Sequence, residues 1–314
     1  MKLVNIAEQG DESFTAMRSY LSQSIRNILL IVFSMALPLL SGCLNSRFYH
    51  PNQTLYETPD QYNLPYEEVF FESKDGTRLH GWFVPAVGDA VGTVIHFHGN
   101  FGNVTYYLNQ IYWLPSKNFN IFTFDYRGYG RSEGTPSRFG IYEDSVAAFE
   151  YIMSRSDIDS KNVFAFGQSL GGTNAIVAIA KNKFPGVRAI AVEGTFSSYR
   201  TEARDMMISN VQKKIGNVPF LPLQIRLISF LSVTNSKSAE EFIDQVAPIP
   251  ILLIHCTKDS IVSYHHSERL YEKSNEPKQI WIIRGCNHLQ VFAESQSGNE
   301  YRQKLVNFFN NYRL

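Results

Sequence analysis

Asn162-Val163-Phe164-Ala165-Phe166-Gly167-Gln168-Ser169-Leu170-Gly171-Gly172 is the stretch on which the reading of this chain turns. Val163 to Phe166 is a short apolar, β-leaning run of the kind that forms a buried strand. Gly167 to Gly171 fits Gly-x-Ser-x-Gly, and Gly172 opens an apolar helical pattern that runs from Thr173 to Ala180. A strand that passes directly into a helix needs a sharp turn. The serine then sits at its apex in a strained conformation, and glycines on either side let strand and helix approach closely. Ser169 is therefore expected at the carboxyl edge of a sheet, beside the positive end of a helix. A glycine-rich turn with an idle serine would need the same residues, so the rest of the chain has to decide.

Working outward, the same strand-then-helix rhythm recurs on both sides. Upstream, Glu68 to Phe83 reads as two strands around the turn residues Asp75-Gly76, an antiparallel hairpin. Gly92 to His98 is a further strand, followed by Gly99-Asn100-Phe101-Gly102 and a helical pattern from Val104 to Leu114. Asn120 to Asp125 is the next strand, and Arg138 to Met153 the next helix. Downstream, Val187 to Val192, Ile251 to His255 and Gln279 to Ile283 are strands, with helices at His265 to Lys273 and Glu300 to Phe309. This alternation predicts an α/β fold with a mainly parallel central sheet and helices on both faces, entered through the hairpin. Between residues 197 and 246 the rhythm breaks. Two helix-like stretches, Tyr199 to Lys214 and the apolar Leu221 to Phe230, are split by Pro219 and Pro222. They form either a small helical cap over the sheet edge or helices that complete the core.

A serine hydroxyl is a weak nucleophile until a base takes its proton, and the base needs an orienting carboxylate. After the strand ending at His255 comes Cys256-Thr-Lys-Asp259, and after the strand ending at Ile283 comes Arg284-Gly-Cys-Asn-His288. Asp259 and His288 are thus expected in loops at the same sheet edge as Ser169, in the chain order Ser, Asp, His. Asp125, which also ends a strand, is the competing acid, but it precedes Ser169. Glu143 and Asp144 lie in a helical pattern and read as surface groups or helix–loop pairs. His96 and His255 read as strand-end histidines with satisfied partners, and His98 as a residue that shapes its loop. His265-His266 lack the companions of a metal site, and neither a metal nor an organic cofactor is expected.

Taken together, His98-Gly99-Asn100, Asp125-Tyr-Arg-Gly-Tyr-Gly-Arg-Ser132, Gly167 to Gly171, Asp259-Ser-Ile-Val262 and His288 resemble the serine-hydrolase branch of the α/β-hydrolase superfamily. The resemblance covers residues 69 to the C-terminus and is nearest to the monoacylglycerol-lipase, acyl-protein-thioesterase-like and S33-type group. It implies an oxyanion hole made by the backbone N–H of Leu170 and that of Asn100 or Phe101. It also implies hydrolysis of an ester or thioester through an acyl-enzyme. The strand before the acid departs from the family pattern, ending His255-Cys256 where His-Gly is usual. The alternatives are an S33-like peptidase, for which Glu193 is the candidate seat for an α-amine, and an idle fold that serves as a binding module.

The remaining features concern placement. The chain has 314 residues, 18% of them charged, and a formal net charge of zero. With no basic cluster either, nucleic acid is excluded as an expected partner; the composition says nothing of oligomeric state. Arg18 and Arg26 precede the apolar run Ile28 to Leu40, thirteen residues long, which is short of the roughly 20 a spanning helix needs. A basic flank, an apolar run and small residues at its end describe a secretory signal. Leu40-Ser41-Gly42-Cys43 resembles a bacterial lipobox, which implies acylation of Cys43 and anchoring without a spanning helix. Leu44 in the next position implies outer rather than inner membrane, and Met17 is a more typical start than Met1. The expected organisation is signal over 1–42, tether over 43–66 and the α/β domain over 67–314, with the insertion at about 197–246. Export would place Cys256 and Cys286 in an oxidising compartment. A disulfide between the acid loop and the base loop requires Cα atoms within about 7 Å, and free thiols are the alternative.

Overall fold

In the computed structural model, the described residues are 48–215, 225–227, 229–230, 233, 235–293 and 295–314. The apolar run, the lipobox-like segment with Cys43, and most of 220–231 lie outside them. The strands are β1 (His50–Pro51), β2 (Glu67–Glu72), β3 (Arg78–Val84), β4 (Gly92–Phe97), β5 (Phe101–Gly102), β6 (Phe119–Phe124), β7 (Val163–Gln168), β8 (Val187–Glu193), β9 (Ile251–Cys256) and β10 (Lys278–Ile283). The helices are α1 (Val104–Ile111), α2 (Arg138–Ser154), α3 (Leu170–Asn182), α4 (Tyr199–Ile215), α5 (His265–Lys273) and α6 (Ser295–Asn310).

Eight strands form one sheet in the order β10-β9-β8-β7-β4-β6-β3-β2. The hairpin β2–β3 and the β3–β6 pair are antiparallel, and all other pairs are parallel. The mainly apolar sequences of β4, β6, β7, β8 and β9 go with burial on two faces. Val163, Ala165, Ile190, Val192 and Leu253 pack toward α2 and α3. Their sequence neighbours Phe164, Phe166, Ala189, Ala191 and Leu252 pack toward α1 and α6.

Strand β4 has β6 on one side and β7 on the other. The chain therefore reverses its direction of travel across the sheet between β6 and β7, and the loops after β4 and β7 part above their carboxyl ends. Such a switch point is where an open α/β sheet leaves a crevice.

The expected tether, 43–66, overlaps the compact unit that begins at Phe48, and from there it runs along the domain surface. Tyr49 is buried, and Phe48 packs edge-on against Phe196, with ring centroids 6.1 Å apart, and against Tyr199 at 5.5 Å. Farther along, Tyr62 stacks on Tyr112 at 4.1 Å. The segment looked like a linker because it is polar and proline-rich. Its aromatic rings nonetheless find apolar surface to cover.

Candidate active site

Ser169 stands between the last residue of β7 and the first of α3, with φ 52° and ψ −116°. A non-glycine residue rarely adopts this region, and persists there only when its surroundings hold it. Here its N–H donates to Glu193 O at 2.8 Å. A methyl group at Gly171 would overlap the Phe97 carbonyl, and one at Gly172 would overlap the Thr195 hydroxyl. The glycines thus let α3 lie against the ends of β4 and β8, which holds the serine at its apex.

Asp259 and His288 come together at the same edge. His288 Nδ1 lies 2.6 Å from Asp259 Oδ2, so the second ring nitrogen, Nε2, is left for another partner. The imidazole rests on Gly194, where an added Cβ would be 3.1 Å from His288 Cε1. Gly194 directly follows Glu193, whose carbonyl anchors the Ser169 amide, and this continuity sets base and serine around one short loop. The Asp259 side chain is buried. Its Oδ1 accepts the N–H groups of Ile261 at 2.9 Å and Val262 at 2.8 Å. Burial pushes its carboxyl up, but hydrogen bonds and charge from His255 and His288 outweigh that and hold it well below the usual carboxylate range.

The acid and base loops are tied to each other several times. Cys256 and Cys286 form a disulfide with Cα atoms 5.2 Å apart. Asn287 Oδ1 accepts from Ser260 N and from His288 N, both at 2.8 Å. Thr257 N donates to Ile283 O at 2.9 Å. Leu170 N and Asn100 N donate to no other described residue. Phe101 belongs to β5, and its N–H faces the Tyr107 hydroxyl instead. Of the two candidates for the second oxyanion donor, Asn100 is therefore the better placed.

The other sequence candidates fall into supporting places. Asp125 accepts Val104 N at 2.8 Å and sits 3.2 Å from His80 Nδ1, holding the start of α1 to the hairpin. His98 Nδ1 lies 2.7 Å from Gly99 O. His96 bridges Thr123 at 2.9 Å and Gln168 at 3.1 Å. Asp144 is a buried helix–loop pair, with its carboxylate 2.7 Å from Arg127 Nη2. Glu193 points into the α1–α6 layer, where Gln168 and Tyr301 donate to it at 3.0 Å and 2.8 Å. His265 is exposed beside Glu268, and His266 is buried beside Ser197, 3.0 Å from its hydroxyl.

Two features had no signal in the sequence. His255, satisfied by Ser267 at 2.7 Å and Val262 O at 2.9 Å, also lies 3.2 Å from the Asp259 carboxylate. A second cluster joins buried Glu202 and half-buried Asp205 of α4 to buried His266, at 3.7 Å and 3.6 Å. The second arises where α4 meets α5, a packing that no local pattern encodes.

Comparison with known proteins agrees with this architecture. The uncharacterized protein YfhR of Escherichia coli (strain K12) is 36% identical over 293 residues, covering 91% of this chain and 95% of its own. The α/β-hydrolase domain-containing protein WAV2 of Arabidopsis thaliana is 35% identical over 221 residues, 69% of each chain. This chain belongs to the α/β-hydrolase superfamily. Residues 88–219 of this α/β-hydrolase match the family model described as serine aminopeptidase, S33. Among solved structures, an esterase of Pyrococcus furiosus superposes with a TM-score of 0.68 at 19% identity, covering 85% of this chain and 99% of its own. At that identity the superposition speaks for the fold alone.

Proposed function

We propose that this α/β-hydrolase is a serine hydrolase that cleaves carboxylic ester or thioester bonds of lipophilic acyl substrates. The observation that carries the reading is the Asp259–His288 pair at 2.6 Å, built on the same loop system as the strained Ser169. In the proposed reaction His288 Nε2 accepts the Ser169 proton as Oγ attacks the acyl carbon. The carbonyl electrons move to the oxygen, which the N–H groups of Leu170 and Asn100 hold. His288 then returns the proton to the leaving alcohol or thiol, which departs and leaves an acyl-Ser169 ester. A water molecule, deprotonated by His288, releases the acid and restores the serine. One oxyanion donor is worth on the order of 3 kcal/mol of barrier. Asp259, ionised and buried, keeps the imidazole in the tautomer that frees Nε2.

The preference for a lipophilic acyl group rests on the apolar stretch 220–231, of which Leu227 and Phe230 are exposed. A peptidase would need an anionic seat for the substrate's amine, and the position of Glu193 in the opposite layer speaks against that reading. The same proposal places the protein at a bacterial envelope, anchored through Cys43. The Cys256–Cys286 bond, suited to an oxidising compartment, supports export.

Hydrolysis of p-nitrophenyl esters of increasing acyl length by the full chain, with Ser169→Ala alongside, tests the reading. Activity that rises toward long chains and is lost in the variant is the expected result. An active Ser169→Ala protein would refute the mechanism, and preference for acetate over all longer acyl groups would refute the lipophilic substrate. No turnover and no labelling of Ser169 by a fluorophosphonate would instead favour a binding module.

A further inference from the structure

The first described residues are bonded to the loop that follows β4. β1 pairs in parallel with β5, His50 opposite Phe101 and Pro51 opposite Gly102, on the segment that follows His98-Gly99-Asn100. The Asn100 side chain donates to Phe48 O and accepts from His50 N. Asn103 Nδ2 donates to Thr54 O at 2.8 Å, and Thr105 Oγ1 accepts Tyr56 N at 2.9 Å. The chain entering the fold is therefore fastened to the loop that carries the second oxyanion donor.

That fastening leaves apolar groups in solvent. Leu55 is 66% exposed, Phe101 49%, Tyr106 42% and Tyr56 37%. Tyr106 touches both Phe101 and Tyr56, with ring centroids 5.1 Å and 5.2 Å apart, so the exposed rings form one patch. A contiguous apolar patch beside a site mouth marks a contact surface, and tyrosines suit a boundary between water and an apolar phase. Cys43 precedes Phe48 by only five residues, which even fully extended span no more than about 18 Å.

We infer that this patch rests on the membrane surface, so that the site faces the bilayer and takes its ester from the lipid phase. The inference rests on the proposed hydrolase activity and on acylation of Cys43, and it deepens both. An anchor at Cys43 confines the first strand to the bilayer's vicinity, and that strand is bonded to the mouth. Lipid chains alone leave a protein free to turn. An adjoining apolar patch supplies the second contact that fixes which way it faces. A lipid substrate then need not cross water to reach Ser169.

The test uses the lipidated full chain in vesicles of phosphatidylethanolamine and phosphatidylglycerol. Its rate on 4-methylumbelliferyl palmitate embedded in the vesicles is divided by its rate on soluble p-nitrophenyl butyrate. The double variant Leu55→Glu/Tyr106→Glu is expected to lower that ratio about tenfold, the effect of losing burial of one or two apolar side chains. The butyrate rate serves as the check on folding. An unchanged ratio overturns the inference, and is the result expected if a second copy of the chain or another protein covers the patch. A wild type that cleaves neither ester, or a Ser169→Ala protein that cleaves both, overturns the hydrolase reading itself and this inference with it.

Discussion

Cys256 and Cys286 are bonded to each other across 30 residues of sequence, one opening the loop of Asp259 and the other lying in the loop of His288. The bond closes a chain segment that holds α5 and β10, and it fixes the two loops whose side chains must meet. Reduction, or the pair Cys256→Ser/Cys286→Ser, is expected to cost about 2–4 kcal/mol of stability. It should also lower kcat more than it raises KM, because His288 and Asp259 lose register while the apolar patch at Tyr56, Phe101 and Tyr106 is untouched. Thermal unfolding and ester kinetics with and without reductant measure both.

Asp259 is expected to remain ionised throughout the working range. Its folded carboxyl lies well below the ordinary value of 3.8. Its stabilising contribution is thus present above that ordinary value and lost only as pH falls through the lower folded one. The acid limb of the pH–rate profile should therefore belong to another group. Asp259→Asn should reduce kcat by about 10⁴ through the wrong imidazole tautomer. Steady-state kinetics from pH 4 to 9 would show a loss of only a few-fold if the carboxylate had no such role.

Glu202 predicts the opposite dependence. Burial, then the charges of Asp205 and Asp259, push its carboxyl up from 4.5 to about 8, and its Oε2 has no hydrogen-bond partner among the described residues. A raised acid costs nothing below its unfolded value. It destabilises progressively as pH climbs, with the full effect above the folded value. His266 on α5 faces it across 3.7 Å and is itself held down chiefly by burial, so it offers no fixed positive charge in compensation. Glu202→Gln is expected to flatten the decline between pH 5 and 8.5 and to add roughly 1–3 kcal/mol at the upper end. Melting temperatures of the two proteins across that range decide it.

Asp144 holds Arg127 through three short contacts, to the main-chain N–H at 2.9 Å, to Nε at 3.0 Å and to Nη2 at 2.7 Å. Asp144→Ala would leave the guanidinium to Asp75, which is exposed, and to Ser73. Loss of one partner from a buried ion pair is expected to cost about 3–5 kcal/mol. Denaturant unfolding measures this. A loss below 1 kcal/mol would mean that the loop after β6 stands without the pair.

The architecture was legible because each central strand is buried on two faces and so reads as a mainly apolar run. Strand ends then fixed where Ser169, Asp259 and His288 had to emerge. The polar network was not legible. Asp144 read as either a surface group or a helix–loop pair, and nothing in the helix pattern named Arg127 as its partner. Glu193 ends β8 as a plausible partner for substrate, yet strand parity turns it toward Tyr301 in the other layer. The role of residues 48–56 was hidden as well, since β1 has two residues and pairs with β5, also of two residues. Strands that short leave no periodicity to read.

The backbone at Ser169 carries one more consequence. At φ 52° and ψ −116° a glycine would be at ease, whereas a serine is strained by an amount on the order of 1–3 kcal/mol. Variants chosen only for heat resistance would be expected to replace this serine early, most readily by glycine. In a population selected for durability without regard to turnover, the hydroxyl is thus among the first things to go. On the proposed mechanism, that strain is what presenting the hydroxyl costs.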